Sequence, residues 1–229
     1  MEKRLIAKLV TAGFLLALVS MQPAHAACDD KRKPGMDWSG CKKINKWMND
    51  SNFAGSRFDG ANLTLSRIED SDFTGASLVK ANITRTSATN SRFDKADLTK
   101  AVGYRAKFNS VSLVEAKMTK SEFSRADFEG AVVTDVDWSK SELARAQFTD
   151  ATLTNVDFEY AILARANFGG ASLDNVSFSG AYMYLTRLEG VDLSNARDLT
   201  QDQLDLTCGD DATQLPEGLS KPDRWPCQE

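Results

Sequence analysis

Histidine is almost missing from this chain. The single one among 229 residues, His25, lies in an N-terminal segment whose removal is expected. Without imidazole there is no Ser-His or Cys-His nucleophile system and no histidine metal ligand. Cysteine is also scarce: Cys28, Cys41, Cys208 and Cys227 are the only four, and none lies within 51–195. All five prolines also fall outside 51–195, so every backbone N–H of that stretch is available to a continuous hydrogen-bonded ladder. Long apolar runs are absent beyond the eleven residues 9–19, well short of the ~20 that a membrane-spanning helix needs. No glycine-rich phosphate loop is present, because Gly55, Gly60 and Gly75 recur as corner residues rather than opening a helix after a strand.

The first 26 residues have the layout of a secretory signal. Lys3, Arg4 and Lys8 precede the apolar run, and Ala24-His25-Ala26 supplies a small-x-small cleavage pattern. The expected product is exported, to the periplasm or the cell exterior, and has no transmembrane segment. Cys28 follows the cleavage point, but His25-Ala26-Ala27 lacks the aliphatic residue that precedes a lipidated cysteine. Removing 1–26 subtracts three basic residues and one acidic one, which leaves 25 Lys plus Arg against 31 Asp plus Glu, a net charge of −6. Acidity this mild favours solubility and does not by itself indicate a partner.

What the sequence has is a period of five. From 51 to 195 it divides without insertion or deletion into 29 blocks, beginning SNFAG, SRFDG, ANLTL, SRIED. The third residue is Phe, Leu, Ile, Met, Val or Trp in 27 of the 29, and the first is Ala, Ser, Val or Thr in all of them. Neither the 3.6-residue period of a helix nor the two-residue period of a strand buries such a pattern. A four-sided coil does, with one block per side and the first and third residues pointing inward. A twenty-residue echo supports four blocks per turn: VDWSKSELARAQFTDATLTN at 136–155 is followed by VDFEYAILARANFGGASLDN at 156–175. Ala88 and Gly103 are the two blocks without a large third residue, and Phe93 and Phe108 are the expected fillers of the space they leave.

The blocks Ala61-Asn62-Leu63, Ala96-Asp97-Leu98, Ala126-Asp127-Phe128 and Ala166-Asn167-Phe168 resemble the motif of the pentapeptide repeat family. That resemblance covers 145 residues. It implies an all-β fold, a right-handed quadrilateral parallel β-helix of about seven coils. Coils stacked at the ~4.8 Å strand spacing make a rod roughly 35 Å long whose end coils need covering. The expected organisation is a signal peptide over 1–26, an N-terminal cap over 27–50, the β-helix over 51–195 and a C-terminal cap over 196–229. A short helix is expected over 42–48, across the first coil. Thr200 and Gln203 have capping-box spacing ahead of Leu204. Export makes disulfides the natural reading of the cysteines. Of the three pairings, Cys28 with Cys41 and Cys208 with Cys227 suits a rod that holds its ends apart, and a four-thiolate zinc site suits it less.

Sorting the fifth residue of each block by side reveals one nonrandom surface feature. Lys80, Lys100, Lys120 and Lys140 form one column, and Arg85, Arg105, Arg125, Arg145 and Arg165 form the next; together they are nine of the sixteen basic residues in the repeats. They read either as a solvated face, with Glu122, Glu142 and Asp127 as partners, or as an anion-binding stripe. A smooth rod offers no cleft in which carboxylates could be fixed about a substrate, so neither enzymatic activity nor a cofactor is expected. The expected function is an exported scaffold for an unidentified protein partner, with homodimerisation left open. The alternative is binding of an anionic envelope polymer by the two columns. The resemblance also implies a third role, since some members of the family look like duplex DNA and protect or inhibit topoisomerases through strongly acidic surfaces. With 19 acids against 16 bases in the repeats and export expected, that role fits poorly and no nucleic-acid partner is expected.

Overall fold

The computed structural model describes residues 28–227, so the expected signal peptide lies outside the described residues. The chain winds as a four-sided parallel β-helix. Second-position residues pair with second-position residues twenty further on, from Asp37↔Arg57 to Ser177↔Arg197. On one side the pairing widens into a parallel sheet of β1 (Ser112–Val114), β2 (Val132–Thr134), β3 (Thr152–Thr154) and β4 (Ser172–Asp174), in that order. The sides are named here by their blocks: first (56, 76 and onward by twenty), second (61, 81), third (66, 86) and fourth (71, 91), the last carrying β1–β4.

The five positions of a block divide the backbone hydrogen bonds among them. Phe53 N–H donates to Asp72 O at 2.7 Å and Asp72 N–H to Ser51 O at 2.9 Å, so neighbouring coils exchange bonds at the second and third positions. Gly55 N–H reaches Thr74 O at 2.8 Å, and Ser56 N–H closes the corner on Phe53 O at 3.0 Å. The fourth N–H is left over, and the side chain two residues earlier takes it: Asn52 Oδ1 accepts from Ala54 at 3.0 Å and Asp72 Oδ1 from Thr74 at 2.9 Å. This is why Asp and Asn recur at the second position. Hydroxyls at the first position are more than small. Ser91 donates to Ile68 O at 2.7 Å and Thr86 to Leu63 O at 2.8 Å, which satisfies carbonyls inside the rod.

Third-position side chains fill the interior as stacked rings. Phe128, Phe148 and Phe168 follow one another at 5.1 and 4.8 Å, nearly parallel. At Gly103 the space is occupied by Phe123 from the next coil, whose ring atoms come within 2.4 Å of where a Cβ would stand. Phe93 and Phe108, the expected fillers, stack on each other at 5.0 Å.

The helix expected over 42–48 is absent. Those residues continue the coil, with Lys42↔Asn62 and Trp47↔Arg67 as bridges, so the blocks MDWSG, CKKIN and KWMND carry the register back to Met36. Two basic residues hide this extension in the sequence. Lys46 holds a first position, and Lys43 holds a third position, its ammonium 3.9 Å from the Trp38 ring centre. With these three blocks, 36–195 makes 32 blocks and eight coils. Cys41 takes a buried first position and is joined to Cys28, which ties the entering chain to the first coil.

At the other end, α1 (Gln201–Leu204) starts from a complete capping box between Thr200 and Gln203. Gln203 Nε2 donates to Phe178 O at 2.7 Å and to Ala181 O at 2.9 Å, which seats α1 on the last full coil. Cys208 and Gln214 then bridge Arg187 and Asp192, and Cys208 is joined to Cys227. Each end of the solenoid therefore carries one local disulfide.

Candidate anion-binding face

Each of the nine column residues stands at a fifth position with left-handed backbone: φ is 58° at Lys80 and 54–61° from Arg85 to Arg165. Side chains other than Gly and Asn resist this conformation, so the coil geometry imposes it. Backbone bonds to the next coil fix every member, as in Lys100 N–H to Thr119 O at 3.1 Å and Arg125 N–H to Ala144 O at 2.9 Å. At ~4.8 Å per coil, the lysine column runs roughly 14 Å and the arginine column roughly 19 Å. The lysines end first-side blocks and the arginines end second-side blocks. The two columns are therefore the two long edges of the second side.

All nine side chains are exposed. The five salt bridges among the described residues belong to other cations, Arg57, Arg92, Lys95 and Arg187. The pairing expected with Glu122, Glu142 and Asp127 does not form. Glu122 and Glu142 stack on each other in the bridge ladder at the middle of the side, and Asp127 Oδ1 accepts instead from Glu129 N–H at 3.1 Å. The columns are left as like charges on coils ~4.8 Å apart, at about 0.8 kcal/mol of repulsion per neighbouring pair in water, and no carboxylate pairs with them; Arg105 alone rests its guanidinium on a ring, 5.4 Å from the centre of Tyr104.

Between the edges, the second side shows Val102, Tyr104, Ser124, Ala144, Ile162 and Ala164 besides the two glutamates, a surface of mostly small or uncharged groups. From 60 to 185, this side and its edges carry nine bases and two acids. Over the same range the opposite, fourth side and its edges carry seven acids, Asp70, Asp72, Asp94, Glu115, Asp135, Asp150 and Asp174, against two bases, Arg92 and Lys95. The rod is thus basic along one side and acidic along the other, although its total charge is small. Among the described residues no group of three or more His, Cys, Asp or Glu side chains is placed to hold a metal ion.

A parallel ladder of four-sided coils, with one five-residue block per side and a left-handed residue at each corner, is the architecture of one family. Profiles described as "Pentapeptide repeat region" and "Pentapeptide repeats (8 copies)" match residues 86–178, and residues 48–85 with 161–197, respectively. The chain belongs to the pentapeptide repeat family, and its fold is the right-handed quadrilateral parallel β-helix. No curated protein matches it significantly. Among solved structures it is similar to HetL of the cyanobacterium Nostoc sp. Strain PCC 7120, a protein involved in heterocyst differentiation regulation. The two share 20% identity at a TM-score of 0.54, over 84% of this chain and 92% of HetL. A trypsin-treated form of QnrB1, a plasmid-mediated fluoroquinolone resistance protein, aligns at 17% identity and a TM-score of 0.69, over 80% of this chain and 91% of QnrB1. Likeness at this level of identity defines the fold alone.

Proposed function

We propose that the protein is an exported, non-enzymatic binding rod whose second side engages an anionic partner. The observation that carries this reading is the pair of unpaired, backbone-fixed cation ladders along both edges of one side, with the acids gathered on the opposite side. Guanidinium and ammonium groups held in register suit a partner that repeats its negative charge. Export is supported by the signal-type N-terminus and by the use of all four cysteines in two end disulfides, an arrangement suited to an oxidising compartment. A binding role without catalysis is supported by the flat repeat sides and by the scarcity of histidine, whose single copy, His25, lies in the expected signal segment.

The test uses immobilised heparin as a generic polyanion. The oxidised protein is expected to be retained at low salt. The triple variant Arg105→Asn, Arg125→Asn, Arg145→Asn is expected to elute earlier, and Asp70→Asn with Asp150→Asn no earlier than wild type. Asparagine is the conservative choice because it already occupies this left-handed position at Asn90, Asn155 and Asn175. Co-elution of wild type and the arginine variant would refute the reading.

A further inference from the structure

The second side carries a second feature that its cations do not explain. Among the described residues nine large hydrophobic side chains are exposed, and seven of them lie on this side or its edges, Trp47 and Val132 being the exceptions. Four gather at the C-terminal end: Tyr160 is 59% exposed, Ile162 41%, Tyr182 51% and Tyr184 40%. The rings of Tyr182 and Tyr184 lie side by side, 6.4 Å apart and 11° from parallel. At the N-terminal end of the same side Ile44 and Leu65 are 43% and 48% exposed. The result is a flat strip with cations along its edges and apolar groups at both ends.

Resting on the reading that this side binds anions, we propose that its partner is a bilayer surface bearing anionic lipid headgroups. A planar bilayer meets a planar strip over its whole length, so both cation ladders reach headgroup phosphates at once. Tyrosine, with an apolar ring and a polar tip, settles at the headgroup level, and isoleucine and leucine gain by entering the acyl boundary. A soluble polyanion uses the cations equally well but leaves Ile44, Leu65 and Ile162 without any gain. The acidic fourth side faces away from the membrane, which fixes the rod's orientation. No helix among the described residues is long and apolar enough to cross a bilayer, so the attachment is to its surface.

Sedimentation with vesicles tests this. Wild-type protein is expected to bind phosphatidylcholine vesicles containing about 30% phosphatidylglycerol at moderate salt, and not phosphatidylcholine alone. The triple Arg→Asn variant should partition on the order of 100-fold more weakly. A second variant, Ile162→Ser with Tyr182→Ser and Tyr184→Ser, should lose vesicle binding roughly tenfold or more while eluting from heparin with wild type. If wild type is retained by heparin yet fails to sediment with anionic vesicles, the membrane assignment falls and the anion-binding reading stands. Vesicle binding unchanged by the serine variant also overturns the membrane assignment in favour of a soluble polyanion. Failure on both supports overturns both.

Discussion

Replacing Gly103 with alanine should destabilise the protein, although alanine ordinarily improves on glycine wherever the backbone tolerates it. The usual gain is about 0.4–1 kcal/mol, from a less flexible unfolded chain. At this position an added Cβ would stand 2.4, 2.6 and 2.8 Å from three atoms of the Phe123 ring, all far inside the ~3.5–4.0 Å of a carbon contact. Phe123 has no room to retreat. It is fully buried, with Phe108 edge-on at 5.5 Å and Phe128 at 5.7 Å. Overpacking of this kind costs about 1–3 kcal/mol, which exceeds the entropic gain and sets the sign. Urea denaturation should show a lower midpoint with an unchanged slope. Shrinking the ring by Phe123→Leu should cost less in the Gly103→Ala background than in wild type, giving a favourable coupling of roughly 0.5–3 kcal/mol. A Gly103→Ala protein as stable as wild type, or strictly additive single effects, would refute this account of the core.

Asp210→Ala should lower stability by about 1–3 kcal/mol and loosen the C-terminal cap first, because Asp210 Oδ1 accepts from Gly190 N–H at 2.9 Å and from Ala212 and Thr213 N–H at 3.0 Å. Hydrogen exchange at Gly190 and Thr213 would report it. Acid should act on the same kind of bond. Asp210 is held below the ordinary carboxylate range chiefly by the Gly190 N–H, and Asp192 chiefly by the Ser194 N–H. A depressed folded-state value stabilises above the unfolded pKa and is lost as pH falls through the folded one. Urea midpoints should therefore hold near neutral pH and fall below the usual carboxylate range; a midpoint insensitive to acid would contradict this. Reducing Cys208–Cys227, whose partners are 19 residues apart, should remove about 3 kcal/mol from the cap and make 209–227 protease-sensitive. Equal digestion rates before and after reduction would count against its stapling role.

The five-residue period made the rod legible because every block repeats a bulky third and a small first residue. The same rule hid the three N-terminal blocks, where Lys43 and Lys46 stand at positions it reserves for apolar or small groups and where Ile44, Trp47 and Met48 mimic a helix face. The filler of Gly103 was not legible, since which neighbouring ring moves in depends on packing between coils rather than within one. Sorting by side exposed the Lys and Arg columns, because their twenty-residue spacing survives in the sequence. Their lack of ion partners did not show there. Glu122 and Glu142 are near the arginines in sequence, but they rise from the middle of the side while the arginines leave from its corner turns. The apolar strip carries the same twenty-residue signal in Tyr104, Tyr184, Ile162 and Tyr182, and sorting all outward positions rather than charges alone brings it out.

Lysine acetylation read by mass spectrometry, with and without anionic vesicles, tests most directly whether one side of the rod is the binding surface. Lys80, Lys100, Lys120 and Lys140 should be protected by the vesicles, while Lys95, at the edge of the acidic side, and Lys107, on the third side, react as in free protein. Protection spread evenly over all six, or centred on Lys95, would contradict the account.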